Sequence, residues 1–120
     1  MNKSWKIRKE RYESYIKDIV SKAILLEVYD DYIKMATILD VELTNDFSLA
    51  KIYVSTINKS DLDFVIQKIN TAKSFFKKLL ANELELKKVP NIIFLKDVSS
   101  EKFEEVENIL KEINKDYGKE

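Results

Sequence analysis

Apolar residues in the N-terminal part of the chain fall at helical intervals. Trp5, Tyr12, Ile16, Ile19, Ala23 and Leu26 trace one face of a long first helix, while Arg8, Lys9, Arg11, Lys17 and Lys22 lie largely off that face. The stretch from Tyr29 to Lys34 is polar and irregular and reads as a connection. The period then changes from helical to alternating. In Thr37-Ile38-Leu39-Asp40-Val41-Glu42-Leu43 the apolar Leu39, Val41 and Leu43 oppose Asp40 and Glu42, the pattern of a half-buried strand. Asn45-Asp46 begins a turn, and Ala50, Ile52 and Val54 alternate with Lys51, Tyr53 and Ser55 in a second strand that closes an antiparallel hairpin. The buried face of this hairpin is expected to carry Leu39, Val41, Leu43, Ala50, Ile52 and Val54.

Helical spacing returns at Ser60-Asp61-Leu62-Asp63, where a serine in capping position precedes first-turn acids. Leu62, Val65, Ile66 and Ile69 carry one stripe, and Phe75, Phe76, Leu79, Leu80 and Leu84 a second. Uninterrupted, this would be one helix of about 25 residues, longer than globular helices usually run. Asn70, Thr71 and Ser74 compete for backbone hydrogen bonds, so the spacing predicts two helices meeting at Ala72-Lys73-Ser74. Pro90 ends the second helix and pushes Val89 towards an extended conformation. The run Ile92-Ile93-Phe94-Leu95 then reads as a buried third strand over 92–96. Ser99 or Ser100 begins a last helix with Phe103, Val106, Leu110, Ile113 and Tyr117 on one side. The order of elements is α+β. A two-helix crossover makes strands two and three parallel neighbours in a three-stranded mixed sheet, with the helices on one face.

Composition narrows the chemistry. The chain has 120 residues and is expected to form a single domain over 1–120. It contains no His and no Cys, which removes Ser-His and Cys-His nucleophile pairs, disulfides and a zinc site, and it calls for no cofactor. Its one glycine, Gly118, leaves no phosphate-cradling glycine loop. Acidic pairs such as Asp30-Asp31 and Glu104-Glu105 read as solvated surface on a chain that is 35% charged. This composition argues against an enzyme. No apolar run suggests a signal peptide or a membrane span, so a cytoplasmic address is the expectation.

The net charge is zero, but it is unevenly placed. Residues 1–23 hold seven basic and three acidic groups, and residues 68–88 hold six and two. Residues 24–67 hold three basic and eight acidic groups, and residues 97–120 hold four and eight. Two basic segments alternate with two acidic ones, which reads either as solvated surface or as a divided electrostatic footprint.

Two ordered motifs carry a resemblance. Ala72-x-Ser74-Phe75-Phe76-Lys77 is followed by Leu84-x-Leu86-Lys87-x-x-Pro90-x-Ile92-x-Phe94-x-x-Asp97-x-Ser99. Earlier comes Val41-x-Leu43-Thr44-x-Asp46-x-x-x-Ala50-Lys51-Ile52-Tyr53-Val54-Ser55. Together they resemble the bacterial ribosome-binding factor A family over roughly residues 8 to 110. The chain departs from that family's pattern in three places: Ser74 stands for a glycine, Lys77 and Lys87 stand for arginines, and Asp30-Asp31 lacks an expected proline.

The resemblance implies a type II K-homology-like domain with an added C-terminal helix. Most K-homology domains clamp nucleotide backbone with a glycine-rich loop between two helices. This chain has no glycine there, and Ala72, Lys73 and Ser74 resemble the kink that replaces the loop. The implied activity is non-catalytic binding to the small (30S) ribosomal subunit and its 16S rRNA during late assembly and rRNA processing. No membrane or small-molecule partner is implied, and the free protein is expected to be a monomer. Lys73, Lys77, Lys78, Lys87 and Lys88 would contact phosphates around the kink, joined by Arg8 and Arg11 of the first helix. A second reading is a protein-binding module using Tyr53, Ile93 and Leu95 on the outer sheet face, or the final helix, with no direct RNA contact.

Overall fold

A computed structural model describes residues 3–84 and 88–97, with side chains from residue 6 onward. Helix α1 (Lys3–Leu26) leads through a short helix α2 (Asp31–Lys34) into strands β1 (Thr37–Leu43) and β2 (Leu49–Ser55). A 3-10 turn at Lys59–Asp61 precedes α3 (Leu62–Thr71), which is followed by α4 (Lys73–Glu83) and β3 (Asn91–Lys96). The sheet order is β1-β2-β3, antiparallel between the first two strands and parallel between the last two. Helix α1 packs on β1, and α3 and α4 pack on β3. One sheet face therefore meets the helices, and the α+β architecture with a mixed three-stranded sheet is as expected.

The core joins Ile16, Val20 and Ala23 of α1 to Val65 and Ile69 of α3, Phe76 and Leu80 of α4, and the inner residues of all three strands. Phe76 meets Phe94 edge to face with ring centroids 5.3 Å apart, which fixes α4 over β3.

The first strand departs from simple alternation. Ile38 is paired with Val54 and Asp40 with Tyr53, so Leu39 is an extra residue at a bulge. The bulge reverses the in-out parity. Ile38 is buried below it and Val41 and Leu43 above it, while Leu39 is 38% exposed and leaves the expected core face. In α1 the buried set is Ile16, Val20, Ala23 and Ile24, and Leu26 is 69% exposed. Leu26 is turned roughly 100° from the centre of that set by the helical repeat, in the last turn. On α4, Phe76, Leu80 and the following Leu84 are buried, whereas Phe75 is 42% exposed on the other side.

Two further expectations change. The 29–34 connection contains α2, because the Asp30 carboxylate accepts the backbone N–H groups of Tyr32 and Ile33 and caps a turn of helix. Those bonds, led by the one from Ile33, hold the Asp30 carboxyl below its ordinary value. Ser60 is not the cap of the third helix. Asn58 fills that role for the 3-10 turn, its Oδ1 accepting from the Ser60 N–H and hydroxyl. The side chain of Trp5 and the final helix expected after Ser99 lie outside the described residues.

On each outer edge of the sheet, side chains take up some of the open backbone groups. On β3, Asn70 of α3 accepts the Phe94 N–H at 2.9 Å and donates to the Phe94 carbonyl at 2.9 Å. On β1, the Leu43 N–H donates to Glu13 of α1 at 2.7 Å and the Val41 N–H to Asp40 at 2.9 Å. These bonds satisfy groups that would otherwise invite another strand.

The hairpin turn is held by Asp46. Its Oδ1 accepts the Ser48 hydroxyl at 2.7 Å, the Thr44 hydroxyl at 2.9 Å and the Ser48 N–H at 3.1 Å. Led by the Ser48 hydroxyl, these donors lower the Asp46 carboxyl from 3.8 to about 2.

Three measurements test this account. Val54→Asp places an unpaired charge in the core and should cost on the order of 3 kcal/mol or more in urea titration, whereas Leu39→Asp should cost under about 1 kcal/mol. Equal losses would show that the bulge is misplaced. Asn70→Ala orphans both Phe94 backbone groups and should cost about 1–3 kcal/mol, with faster amide exchange at Phe94. For Asp46, a depressed folded pKa means that its contribution is whole above 3.8 and is lost as pH falls through about 2. Asp46→Asn should therefore flatten the acid limb of the stability profile in that window, and an unchanged limb would show that the turn does not depend on the carboxylate.

Candidate nucleic-acid interface

Helices α3 and α4 meet at Ala72, whose φ of −100° and ψ of 9° are open to any residue. The break therefore needs no glycine. Its position follows from hydrogen bonds: Asn70 is held by Phe94 and by the Ile66 carbonyl, and the Thr71 hydroxyl donates to the Lys68 carbonyl. The Ala72 N–H folds back to Ile69, and the Ala72 carbonyl starts α4 by accepting from Phe75 and Phe76. Ser74 lies inside the first turn of α4 and makes no capping bond.

Helix α4 then presents Lys73, Lys77 and Lys78 to solvent. Lys73 and Lys77 are one helical turn apart and share a side. The Lys77 ammonium donates to the neutral Asn91 side chain at 2.8 Å, which orients the charge without neutralising it. Lys88 is exposed just before β3, and Lys87 lies outside the described residues. Among the described residues, Lys73, Lys78 and Lys88 join no ion pair. Lysines elsewhere do: Lys68 with Asp30 at 3.6 Å, Lys51 with Glu42 at 3.9 Å, and Lys96 with Asp63.

Arg8 and Arg11 are both exposed on α1. The fold brings the start of α1 to the same end of the sheet as Lys77. Asn91, the Lys77 partner, donates its N–H to the Ser48 carbonyl in the hairpin turn at 3.0 Å. The neighbouring Phe47 packs edge to face on Tyr12 of α1 at 5.7 Å, and the Arg8 guanidinium lies 5.7 Å from the Tyr12 ring centre. Lys9 reaches Asn45 of the turn at 3.5 Å.

Sequence periodicity assigned Tyr12 to the core face and missed Phe47 altogether. The structure leaves Tyr12 half-buried in a ring cluster with Phe47 and the exposed Tyr15. The signal was present: an aromatic in the turn Asn45-Asp46-Phe47-Ser48 is out of place unless something packs on it. Phe47 also has φ of 60°, a left-handed conformation costly for a bulky residue. Arg8, Asn45, Asp46 and Phe47 line an open cavity of about 330 Å³.

The outer sheet face has different electrostatics. Tyr53, Ile93 and Leu95 are half-buried there. Burial first, then Glu42 and Asp40, raise the Tyr53 phenol above its ordinary value. A face with these carboxylates around Tyr53 repels phosphate. Among the described residues no cluster of acids is placed to hold a metal, and no helix is long and apolar enough to cross a membrane.

Comparison with known proteins agrees with this fold. The model of the ribosome-binding factor A family matches residues 8–110. A ribosome-binding factor A from Malacoplasma penetrans is 47% identical over 107 residues, covering 89% of this chain and 92% of the relative. A solution structure of a Thermotoga maritima protein named for ribosome binding factor A superposes with a TM-score of 0.68 at 30% identity, covering 84% of this chain and 95% of that one. A Thermus thermophilus ribosome binding factor A, fitted into a cryo-EM map of a 30S complex, shares the fold at a TM-score of 0.58 and 19% identity over 72% of this chain and 92% of that one. With a family match from Arg8 to Leu110 and close to half of the aligned positions identical in a relative covered over nearly its whole length, this chain belongs to the ribosome-binding factor A family.

Proposed function

We propose that this chain is a non-catalytic maturation factor of the cytoplasm that binds the small ribosomal subunit through its 16S rRNA late in assembly. The observation that carries this reading is the basic face of α4, where Lys73, Lys77 and Lys78 are exposed and no described carboxylate pairs with them. Surface lysines left without acidic neighbours keep their full charge available to phosphates, and each phosphate engaged releases a condensed counterion. Arg8 and Arg11 extend the same charge along α1, and Lys88 extends it towards β3. The acidic outer sheet face would point away from the subunit. Family membership, and the 30S complex of the Thermus relative, support the same assignment.

Phosphate contacts of this kind position a protein without reading sequence. The chain over 1–120 would act as a single domain against folded rRNA, with Lys87 as a further contact beside Lys88 in sequence.

Changing Lys73, Lys77, Lys78 and Lys88 together to glutamate should leave the urea midpoint nearly unchanged, because exposed charges pair weakly. Co-sedimentation with purified small subunits should fall steeply. The slope of log affinity against log salt should become shallower by roughly 0.7–0.9 for each phosphate no longer engaged. Lys51→Glu on the outer face should change neither. Wild-type co-sedimentation and an unaltered salt slope in the fourfold variant would remove α4 from the interface.

A further inference from the structure

We propose that the open cavity at the hairpin end of the molecule receives a single unpaired nucleobase of the bound RNA, stacked against the Phe47 ring, which itself packs on Tyr12, with its polar edge towards Asn45 and Asp46. This deepens the rRNA-binding reading and rests on it, because it adds a base contact to a surface that otherwise engages phosphates.

The chemistry of the lining selects the ligand. The cavity of about 330 Å³ is at the small end of the range that ligand pockets occupy, roughly 300–1,000 Å³, which suits one base rather than a helix. Phe47 and Asp46 both line it, so an aromatic surface and a carboxylate meet in one place. The Thr44 hydroxyl and both Ser48 donors reach Asp46 through Oδ1, so none of these three bonds uses Oδ2. An ionised carboxylate in this position repels phosphate and asks for an N–H donor. Asn45 Oδ1 accepts from the Lys9 ammonium, and its amide N–H groups meet no acceptor among the described residues. Donor and acceptor side by side, next to an aromatic ring, match the exposed edge and the π-face of an unpaired base.

The surroundings weigh against the main rival, a cationic side chain of a partner protein. Arg8 lines the same cavity, and Lys9 sits on Asn45 beside it. Arg8 in the lining and Lys9 on Asn45 disfavour an arginine or lysine, but they suit the sugar-phosphate that carries a base. The left-handed Phe47 holds its ring on Tyr12 at a conformational cost, as backbone does where a side chain must be aimed.

The test titrates the full isotope-labelled chain with four probes: a single-stranded RNA pentanucleotide, the same sequence within a duplex, an abasic pentamer of equal charge, and arginine amide. The single-stranded pentanucleotide should shift the amides of Asn45, Asp46 and Phe47 and the ring of Tyr12. Duplex and abasic pentamer should move the α4 lysine region and leave the turn in place. Phe47→Leu, which keeps apolar packing on Tyr12, should weaken pentanucleotide binding about tenfold, the size expected for removing one stack.

If the abasic pentamer moves the turn as far as the base-bearing one, the interaction is electrostatic only, and the base site is overturned while the RNA-binding reading stands. A response to arginine amide without a response to the pentanucleotide overturns it in favour of a protein partner. A base-specific response at the turn in a chain that fails to co-sediment with small subunits supports the site and sinks the ribosomal reading.

Discussion

The outer edge of β3 has no strand beside it, and the side chain of Asn70 takes that place. It engages both backbone groups of Phe94, a donor and an acceptor that would otherwise be left open at the sheet edge. A buried backbone group without a partner costs about as much as a missing hydrogen bond, so this pairing fixes the height of α3 on the sheet. It also fixes where α3 ends. With Asn70 turned to β3 and Thr71 bonded back to Lys68, the chain passes through Ala72 and starts α4 in a new direction. The direction of α4 in turn sets Phe76 over Phe94 and leaves the lysines outside. A glycine at the junction would add freedom that the geometry does not use.

The other end of the sheet is organised by the same device. Glu13 caps Leu43 on the edge of β1, tying α1 to the hairpin, and Tyr12 beside it receives Phe47 from the turn. The turn itself is tightened by Asp46. Capping a sheet-edge group and aligning α1 with the hairpin are thus one structural event. Its by-product is a cluster of rings with Arg8 and Lys9 around it, at the end of the sheet where Lys77 meets Asn91.

Charge is divided by the same framework. The chain is neutral as a whole, and its composition alone would not mark it as a nucleic-acid binder. The fold separates the signs by giving Lys51, Lys68 and Lys96 acidic partners, while among the described residues Lys73, Lys77 and Lys78 of α4 join no ion pair. Affinity for an RNA surface depends on this local excess, which acts within a Debye length of about 10 Å at ordinary salt.

The long first helix, the three strands, the mixed sheet and the break between α3 and α4 were written in local patterns: alternation over 50–55, helical spacing in 62–84, one proline at 90 and no glycine before 118. The ordered motifs from Val41 to Ser99 identified the family for the same reason, since they record which positions must be small, apolar or turn-forming. Tertiary structure decided what no local window contains. Leu39 leaves the core because of a bulge, which only the pairing of β1 with β2 defines. Asn70 reads locally as a helix breaker, yet its bonds run to Phe94, twenty-four residues away. Phe47 reads as turn, and its ring belongs to Tyr12 on another element. Secondary structure follows from interactions a few residues apart, which periodicity encodes directly. The capped edge groups, the direction of α4 and the site at the hairpin depend on which distant groups are brought together, and only the packed fold sets that.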